Sequence, residues 1–295
     1  MSRPRLRGAA DACRRFALAP ASPRPLAALR MGLAGVLLGQ AAQAAPGLLS
    51  GPLRAPLDAA DPLSLQRLAE ILAPLGAREG HVLAGAGVAY VIALVSLLLG
   101  YRARLSAALA FMTHALLAKG AGGAPHGADQ LSQVGLFFLV FMPCGRALSI
   151  DRRRLKAPPA PTPGARLALR VLQVHLCVVS ASSGLGKARG AGWWSGEALG
   201  KALPAFPRLD FSFLVTHPWL AAAIGWAVVL VEIGVPLLMW PKRTRRAWVL
   251  VTAALHLAVA VFMGLGVFGA IMIVLTIAAF GVRADPDPEP DPKER

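Results

Sequence analysis

HVLAGAGVAYVIALVSLLLG, residues 81–100, is a run of twenty residues without an Asp, Glu, Lys or Arg. A helix of this length is about 30 Å long, which matches the hydrocarbon core of a bilayer. The composition of the whole 295-residue chain agrees with that interpretation, because 56% of its residues are apolar and only 16% are charged. Soluble domains carry about 25% charged residues. The sequence therefore predicts a polytopic membrane protein.

Seven further apolar runs repeat this pattern, so we expect an all-α integral membrane bundle of about eight transmembrane helices. The predicted spans are residues 26–45, 81–100, 104–118, 130–148, 165–183, 219–240, 247–264 and 267–282. Three domains follow: a basic cytoplasmic arm (1–24), the transmembrane domain (25–282) and a disordered tail of alternating Pro and acidic residues (283–295). Arg30 falls one turn into the first span, and we expect its side chain to snorkel to the interface.

The distribution of charge predicts the orientation of the bundle. The net charge of +16 comes mainly from short loops, namely residues 1–24, 101–104, 146–166 and 242–246, whereas the alternate loops are nearly neutral. Basic loops face the cytoplasm, so both termini should be cytoplasmic. The same pattern indicates contact with anionic membrane lipids and excludes nucleic acid as a partner. The richness in Ala, Gly, Arg and Pro suggests a bacterial cytoplasmic membrane.

The segment SGLGKARGAGWWSGEALGKAL, residues 183–203, does not fit the loop pattern. It follows the fifth span on the non-cytoplasmic side and still carries excess positive charge, contrary to the usual bias. We expect a re-entrant or interfacial segment that forms the floor of an outward-facing cavity, with an ordinary solvated loop as the alternative.

Ionisable groups inside spans are costly, at about 2.5–3.5 kcal/mol each on insertion scales, so each is a candidate for function. Glu232, His256, His175 and His114 fall within predicted spans, with Gln173 as a neutral polar neighbour. Lys187 and Asp129 fall at the outer ends of spans.

Each candidate has a structural alternative. Lys187 would act as a base only where an apolar pocket disfavours its charged form, and it would otherwise snorkel to the interface. Glu232 and His256 would relay protons, or simply form hydrogen bonds between helices. Trp193 and its neighbour Trp194 would stack on a quinone or lipid ring, or belong to an aromatic belt.

The Cys and His residues do not suggest a metal centre. Cys13, Cys144 and Cys177 are widely separated and form no CxxC pair, and the histidines lack the local spacing of zinc ligands. We predict no metal site and no disulfide framework.

The order and spacing of several motifs resemble the HTTM family, the horizontally transferred transmembrane domain found in vitamin K-dependent gamma-carboxylase-like proteins. The resemblance covers residues 22–282. Its motifs are FMPCGRALSID (141–151), Gln173, SGLGKARGAGWWSGEAL (183–199), LVEIGVPLL (230–238) and LHLAVAVFMGLGVF (255–268).

The resemblance implies roles for individual residues. In the carboxylase, a lysine of the matching segment deprotonates vitamin K hydroquinone, and the equivalent position here is Lys187. Glu232 and His256 resemble the family's later glutamate and histidine, which would support this base as catalytic residues. Asp129 resembles its acidic position after the third span. With Trp193, Gln173 and His114, it would bind the cofactor, a vitamin K-like quinone.

Two departures bear on activity. Gly186 precedes Lys187 where the carboxylase has paired lysines, and only residues 283–295 follow the last predicted span, so we expect no binding of a substrate propeptide. The sequence thus predicts either a quinone- or lipid-linked carboxylase-like enzyme that uses Lys187 as base, or a non-catalytic scaffold or small-molecule- or lipid-binding protein of the same fold. A transporter is disfavoured because no internal repeat is evident.

Overall fold

The computed structural model describes residues 3–50, 65–75, 79–120, 127–154, 160–202 and 212–284. Within these ranges every extended regular element is a helix, and the one isolated bridge pairs Ala21 with Thr162. The predicted all-α class is therefore confirmed. The tail from residue 285 onward, predicted to be disordered, lies outside the described residues.

Fourteen α-helices are described. They are α1 (Arg3–Leu18), α2 (Arg24–Ser50), α3 (Leu65–Leu72), α4 (Glu79–Leu99), α5 (Ala103–Gly120), α6 (Gly127–Phe141), α7 (Ile150–Arg154), α8 (Pro163–Arg189), α9 (Ala191–Ser195), α10 (Glu197–Ala202), α11 (Ser212–Thr216), α12 (Pro218–Leu238), α13 (Lys242–Phe262) and α14 (Gly266–Thr276). A π-helical turn, Ile277–Gly281, extends α14.

Five of these helices are long and apolar enough to cross a bilayer, namely α2, α4, α8, α12 and α13. Two shorter apolar helices accompany them, Ala103–Ala118 and Gly266–Gly281. Large apolar side chains also point outward, as Leu230 and Leu250 do with exposed fractions of 63% and 70%. Such a surface suits lipid rather than water. The chain is thus a polytopic membrane bundle, while the count of eight spans stays a prediction, since α6 has only 15 residues.

Arg30 does not snorkel to an interface, and the prediction that it would was wrong. Its side chain is completely buried. The guanidinium donates hydrogen bonds to the carbonyl oxygens of Leu97, Leu98, Cys144 and Leu148. These carbonyls belong to the end of α4 and to the turn after α6, where backbone groups lack helical partners. Arg30 therefore joins three parts of the chain at one end of the bundle.

That end is named here the arginine-rich end, formed by residues 100–104, 142–154 and 160–162. Helix α8 begins there, capped by the Thr162 side chain, which accepts a hydrogen bond from the Ala165 amide. Lys187 lies 24 residues further along the same helix. At 1.5 Å per residue, the two features are about 36 Å apart. One helix thus connects the arginine-rich end to the predicted site.

Residues 183–203 do not begin as a loop. Helix α8 continues through Arg189 and stops at Gly190, and the short helices α9 and α10 then pack along α12. The predicted end of the fifth span at residue 183 was therefore too early. The fourth predicted span, residues 130–148, was too long, because α6 ends at Phe141 and a turn follows.

Candidate functional site

Lys187 forms an ion pair with Glu232 between α8 and α12. The ammonium nitrogen Nζ lies 2.9 Å from Glu232 Oε1 and 2.8 Å from Oε2. It also donates to Ser183 Oγ at 2.6 Å. Three acceptors match the three hydrogens of an ammonium group, so the donors of Lys187 are all used within the protein.

The backbone explains why the two charged residues meet. Ser183 and Lys187 are four residues apart on α8 and therefore share one face of the helix. Gly184 lies on the side that approaches α12, where a Cβ atom would come within 2.9 Å of Ile233 Cγ1 and 3.0 Å of Glu232 Cβ. Only a residue without a side chain permits this approach. The glycine thus allows the charged groups to reach each other directly.

The pair is deep in the bundle. Glu232 is the fifteenth residue of α12, about 21 Å along the helix from its first residue. The side chains of Lys187 and Glu232 have exposed fractions of only 22% and 14%. Moving charges away from water is costly unless they are paired and hydrogen-bonded, which is the arrangement found here.

Trp193 lies beside the ammonium group. Its ring centroid is 5.4 Å from Lys187 Nζ, within the range of a cation–π contact. The break at Gly190 allows α9 to turn so that Trp193 faces the lysine. Its neighbour Trp194 donates from Nε1 to the Ala188 carbonyl oxygen, and the carbonyl of Trp194 accepts from Trp226 Nε1. Two indole hydrogen bonds therefore hold α9 against α8 and α12.

His256 lies near this pair without touching it. Its Nδ1 is 2.8 Å from the carbonyl oxygen of Thr252 on the same helix, so this nitrogen carries the proton. The ring is buried, yet it lies close enough to Glu232 and Lys187 for both charges to act on it. His256 is therefore placed beside the ion pair, with its Nδ1 already engaged.

His114 and Asp129 belong to a second polar group, between α2, α4, α5 and α6. Tyr90 Oη lies 3.0 Å from His114 Nδ1, and Gln40 Nε2 donates to Asp129 Oδ1 at 3.5 Å. His114 Nε2 is buried and has no partner within the described residues. None of the hydrogen bonds described joins this group to Lys187 or Glu232, so the predicted cofactor residues do not form one cluster.

Gln173 is also separate. It lies 14 residues before Lys187 on α8, about 21 Å away along the helix. Its amide donates to the Ala279 carbonyl at 2.7 Å and its carbonyl accepts from Arg170 at 2.8 Å. These contacts join α8 to the π-helical turn. His175 packs edge-on against Phe138, with ring centroids 5.0 Å apart.

A second lysine–glutamate pair on the same stretch provides a comparison. Lys201 Nζ lies 2.6 Å from Glu197 Oε1, but these side chains are 76% and 61% exposed. The hydrogen bond from Lys201, together with its charge, holds the pKa of the Glu197 carboxyl below its ordinary value. A pair this exposed stabilises little, because water screens it. The two pairs therefore share their chemistry and differ in burial.

Sequence reasoning missed Ser183 and Tyr90. Helical spacing carried the signal for Ser183, because a hydroxyl four residues before a buried lysine lies on the same face. Tyr90 was hidden in an apolar span, and only the tertiary structure places its hydroxyl against His114.

Other features of the fold lie away from the ion pair. No three His, Cys, Asp or Glu side chains lie together as a metal site in the described part of the chain. Two cavities lie at the arginine-rich end, and neither is lined by Lys187 or Glu232.

The sequence matches a family model, described as HTTM domain, over residues 79–282. No curated protein and no solved structure matches the chain. The matched range begins with α4 and ends after α14, and it includes every residue of the Lys187–Glu232 site.

Proposed function

This chain belongs to the HTTM domain family, and from that membership we propose that it binds a quinone or lipid-linked small molecule beside Lys187 and exchanges a proton with it. The observation that carries the proposal is the Lys187–Glu232 ion pair buried between α8 and α12. We place the protein in a bacterial cytoplasmic membrane with both termini cytoplasmic, because the arginine-rich loops lie at one end of the bundle.

The first argument is energetic. Apolar side chains of similar volume often hold helices together as well as a buried ion pair does, because the charges must first be desolvated. Polar groups at this depth are correspondingly rare, and those that occur tend to mark pathways for ions or protons. Lys187 and Glu232 are therefore better explained by a chemical role than by helix packing alone.

The second argument concerns which atom holds the proton. With its three donors directed at Ser183 and Glu232, Lys187 is a proton donor in this arrangement and cannot act as a base. It becomes a base once Nζ has passed a proton to Glu232, and 2.8 Å is a suitable distance for direct transfer. Glu232 would then hold that proton while neutral Lys187 accepts one from the ligand. The two groups act as one coupled unit.

The residues around Lys187 fit a quinone-like ring. Trp193 offers an aromatic face 5.4 Å from the lysine nitrogen, so a ring stacked on it would lie beside a proton acceptor. A bound hydroquinone would supply an acidic hydroxyl and two-electron redox chemistry. His256 lies near enough to stabilise the charges electrostatically. His114, Asp129 and Gln173 would not contact the same ring, since the structure separates them from Lys187.

A non-catalytic scaffold or small-molecule-binding protein is the second candidate. It is favoured by one observation: every donor of Lys187 already has an acceptor within the protein. A purely structural ion pair has the same appearance.

The test compares the wild-type protein with Lys187→Met, using Lys201→Met as the matched control on the same stretch. Each is purified, its lipid extract is examined for quinone by mass spectrometry, and oxygen-dependent oxidation of added hydroquinone is followed by absorbance. We expect the wild type and Lys201→Met to carry quinone and be active, and Lys187→Met to insert normally but lose at least about a hundredfold in rate. Equal activity of all three would remove Lys187 from the mechanism. Absence of both quinone and activity from the wild type would favour the scaffold.

A further inference from the structure

We propose that the larger cavity at the arginine-rich end binds the phosphate-bearing head group of an anionic phospholipid. This cavity has a volume of about 490 Å³ and is lined by Arg102, Arg104 and Arg146, with Asp151 as the one carboxylate among its lining residues. A second cavity of about 290 Å³ shares Gly145, Arg146 and Asp151 with it. The site is about 36 Å from Lys187, so the proposal does not depend on the function of the ion pair.

The charge of the cavity calls for an anion. Three guanidinium groups face a single carboxylate, so positive charge is left over. Guanidinium groups bind phosphate oxygens through pairs of parallel hydrogen bonds and are less strongly hydrated than ammonium groups. Basic pockets between transmembrane helices bind anionic lipid head groups in this way.

The arginines are held in place before any ligand arrives. Arg104 donates to the carbonyl oxygens of Phe141 and Met142, each at 3.4 Å, which fixes it over the end of α6. The Arg102 guanidinium lies 5.8 Å from the centroid of the Tyr101 ring, which also carries Arg154 at 5.6 Å. Side chains that are already positioned lose less entropy on binding.

The backbone of the cavity wall is equally constrained. Arg102 has a φ of +42°, an uncommon value for a residue with a side chain. The buried Arg30 ties the neighbouring carbonyls of Leu98 and Leu148 together at 2.7 and 2.6 Å. Strained backbone persists only where its surroundings maintain it, and it concentrates at ligand sites. Arg30 thus supports the turn that presents Arg102.

The apolar rim distinguishes a lipid from a soluble anion. Leu105 lines the cavity and is 61% exposed, and Leu148, in the turn beside Arg146, is 66% exposed. Tyr101 is 40% exposed at the same level. Acyl chains attached to a head group in the cavity would cover these side chains. A free phosphate would leave them uncovered, so the combination of arginines and leucines favours a phospholipid.

The experiment measures binding of phosphatidylglycerol to the full chain in phosphatidylcholine nanodiscs, by native mass spectrometry. The cavity variant is Arg102→Gln with Arg146→Gln. The control variant is Arg243→Gln with Arg246→Gln, which removes the same charge from exposed residues of another basic segment that lines neither cavity. Diffuse attraction contributes about fivefold in affinity per arginine in either variant. We expect the cavity variant to bind at least about tenfold more weakly than the control variant.

Two further arms identify the source of the phosphate. Glycerol 3-phosphate and inorganic phosphate, which lack acyl chains, should compete only at concentrations far above that of the lipid. Equal losses in the two variants would overturn the proposal in favour of diffuse attraction, and effective competition by soluble phosphate would overturn the lipid assignment. Thermal unfolding of both variants excludes misfolding as the cause, and a pair of lysine substitutions, Arg102→Lys with Arg146→Lys, should restore part of the affinity.

Discussion

Lys187 Nζ lies 2.8 Å from Glu232 Oε2, although 45 residues separate them along the chain. The contact joins the end of α8 to the inner part of α12, and Ser183 completes the set of acceptors. Neither charge is stable alone at this depth, because the partner would stay buried and uncompensated. The two residues should therefore behave as one unit in stability as well as in chemistry.

A double-mutant cycle tests that coupling. Lys187→Met leaves Glu232 unpaired, and Glu232→Gln leaves Lys187 unpaired, so each single variant should lose about 3 kcal/mol of stability. The double variant removes both charges and should be more stable than either single variant. The measurement is unfolding in detergent micelles with increasing SDS. Additive losses would show that the two groups do not depend on each other.

The same cycle applied to the exposed pair is the control. Lys201 and Glu197 form an equally short contact, but on the surface. Their coupling should be below about 1 kcal/mol and should fall with added salt, because solvent screens it.

Two nearby glycines should respond differently to alanine. A Cβ at Gly184 would lie 2.9 Å from Ile233 Cγ1 and 3.1 Å from the Ile233 amide nitrogen, whereas a Cβ at Gly186 meets nothing within 4 Å. Gly184→Ala should separate α8 from α12 and destabilise the protein by about 1–3 kcal/mol. Gly186→Ala should be neutral or slightly stabilising, because alanine favours helix more than glycine does. The melting temperatures of the two variants decide the matter, and equal values would contradict the close approach at Gly184.

The helical bundle could be predicted from composition because lipid leaves the backbone few choices. Every backbone polar group in the hydrocarbon needs an internal partner, so a long apolar run becomes a helix. Residues 81–100, for example, were placed almost as α4 places them. Helix ends were less predictable. Gly184 and Gly186 are usual signals for a break, yet α8 runs on to Arg189, because Gly184 serves helix packing.

The candidate site could be predicted only in part. Ionisable residues in apolar spans are visible in the sequence, and that signal picked out Lys187 and Glu232. Which of them meet depends on how the helices pack, and His114, Asp129 and Gln173 lie elsewhere for this reason. Arg30 shows the same limit, because its position near a helix end suggested a route to water while the turn after α6 covers it.

Cys13 offers a direct test of the predicted orientation. It is exposed on α1, whereas Cys144 and Cys177 are buried, so a maleimide should react with Cys13 alone in the folded protein. A membrane-impermeant maleimide should label inverted vesicles but not intact spheroplasts if the basic arm is cytoplasmic. The Cys13→Ser variant should give no label on either side. Labelling of intact spheroplasts would contradict the predicted orientation.

Arg30 should tolerate substitution less well than any exposed arginine. Its guanidinium serves four carbonyl oxygens from three parts of the chain, including that of Leu148 at 2.6 Å. A lysine keeps the charge but has one compact donor group, so Arg30→Lys would leave some of these buried carbonyls without a partner. We expect a loss of at least about 3 kcal/mol in detergent unfolding, together with faster proteolysis in the turn after α6. Arg14→Lys on the exposed face of α1 is the control and should change little. Equal stability of the two variants would mean that water or neighbouring groups replace the guanidinium.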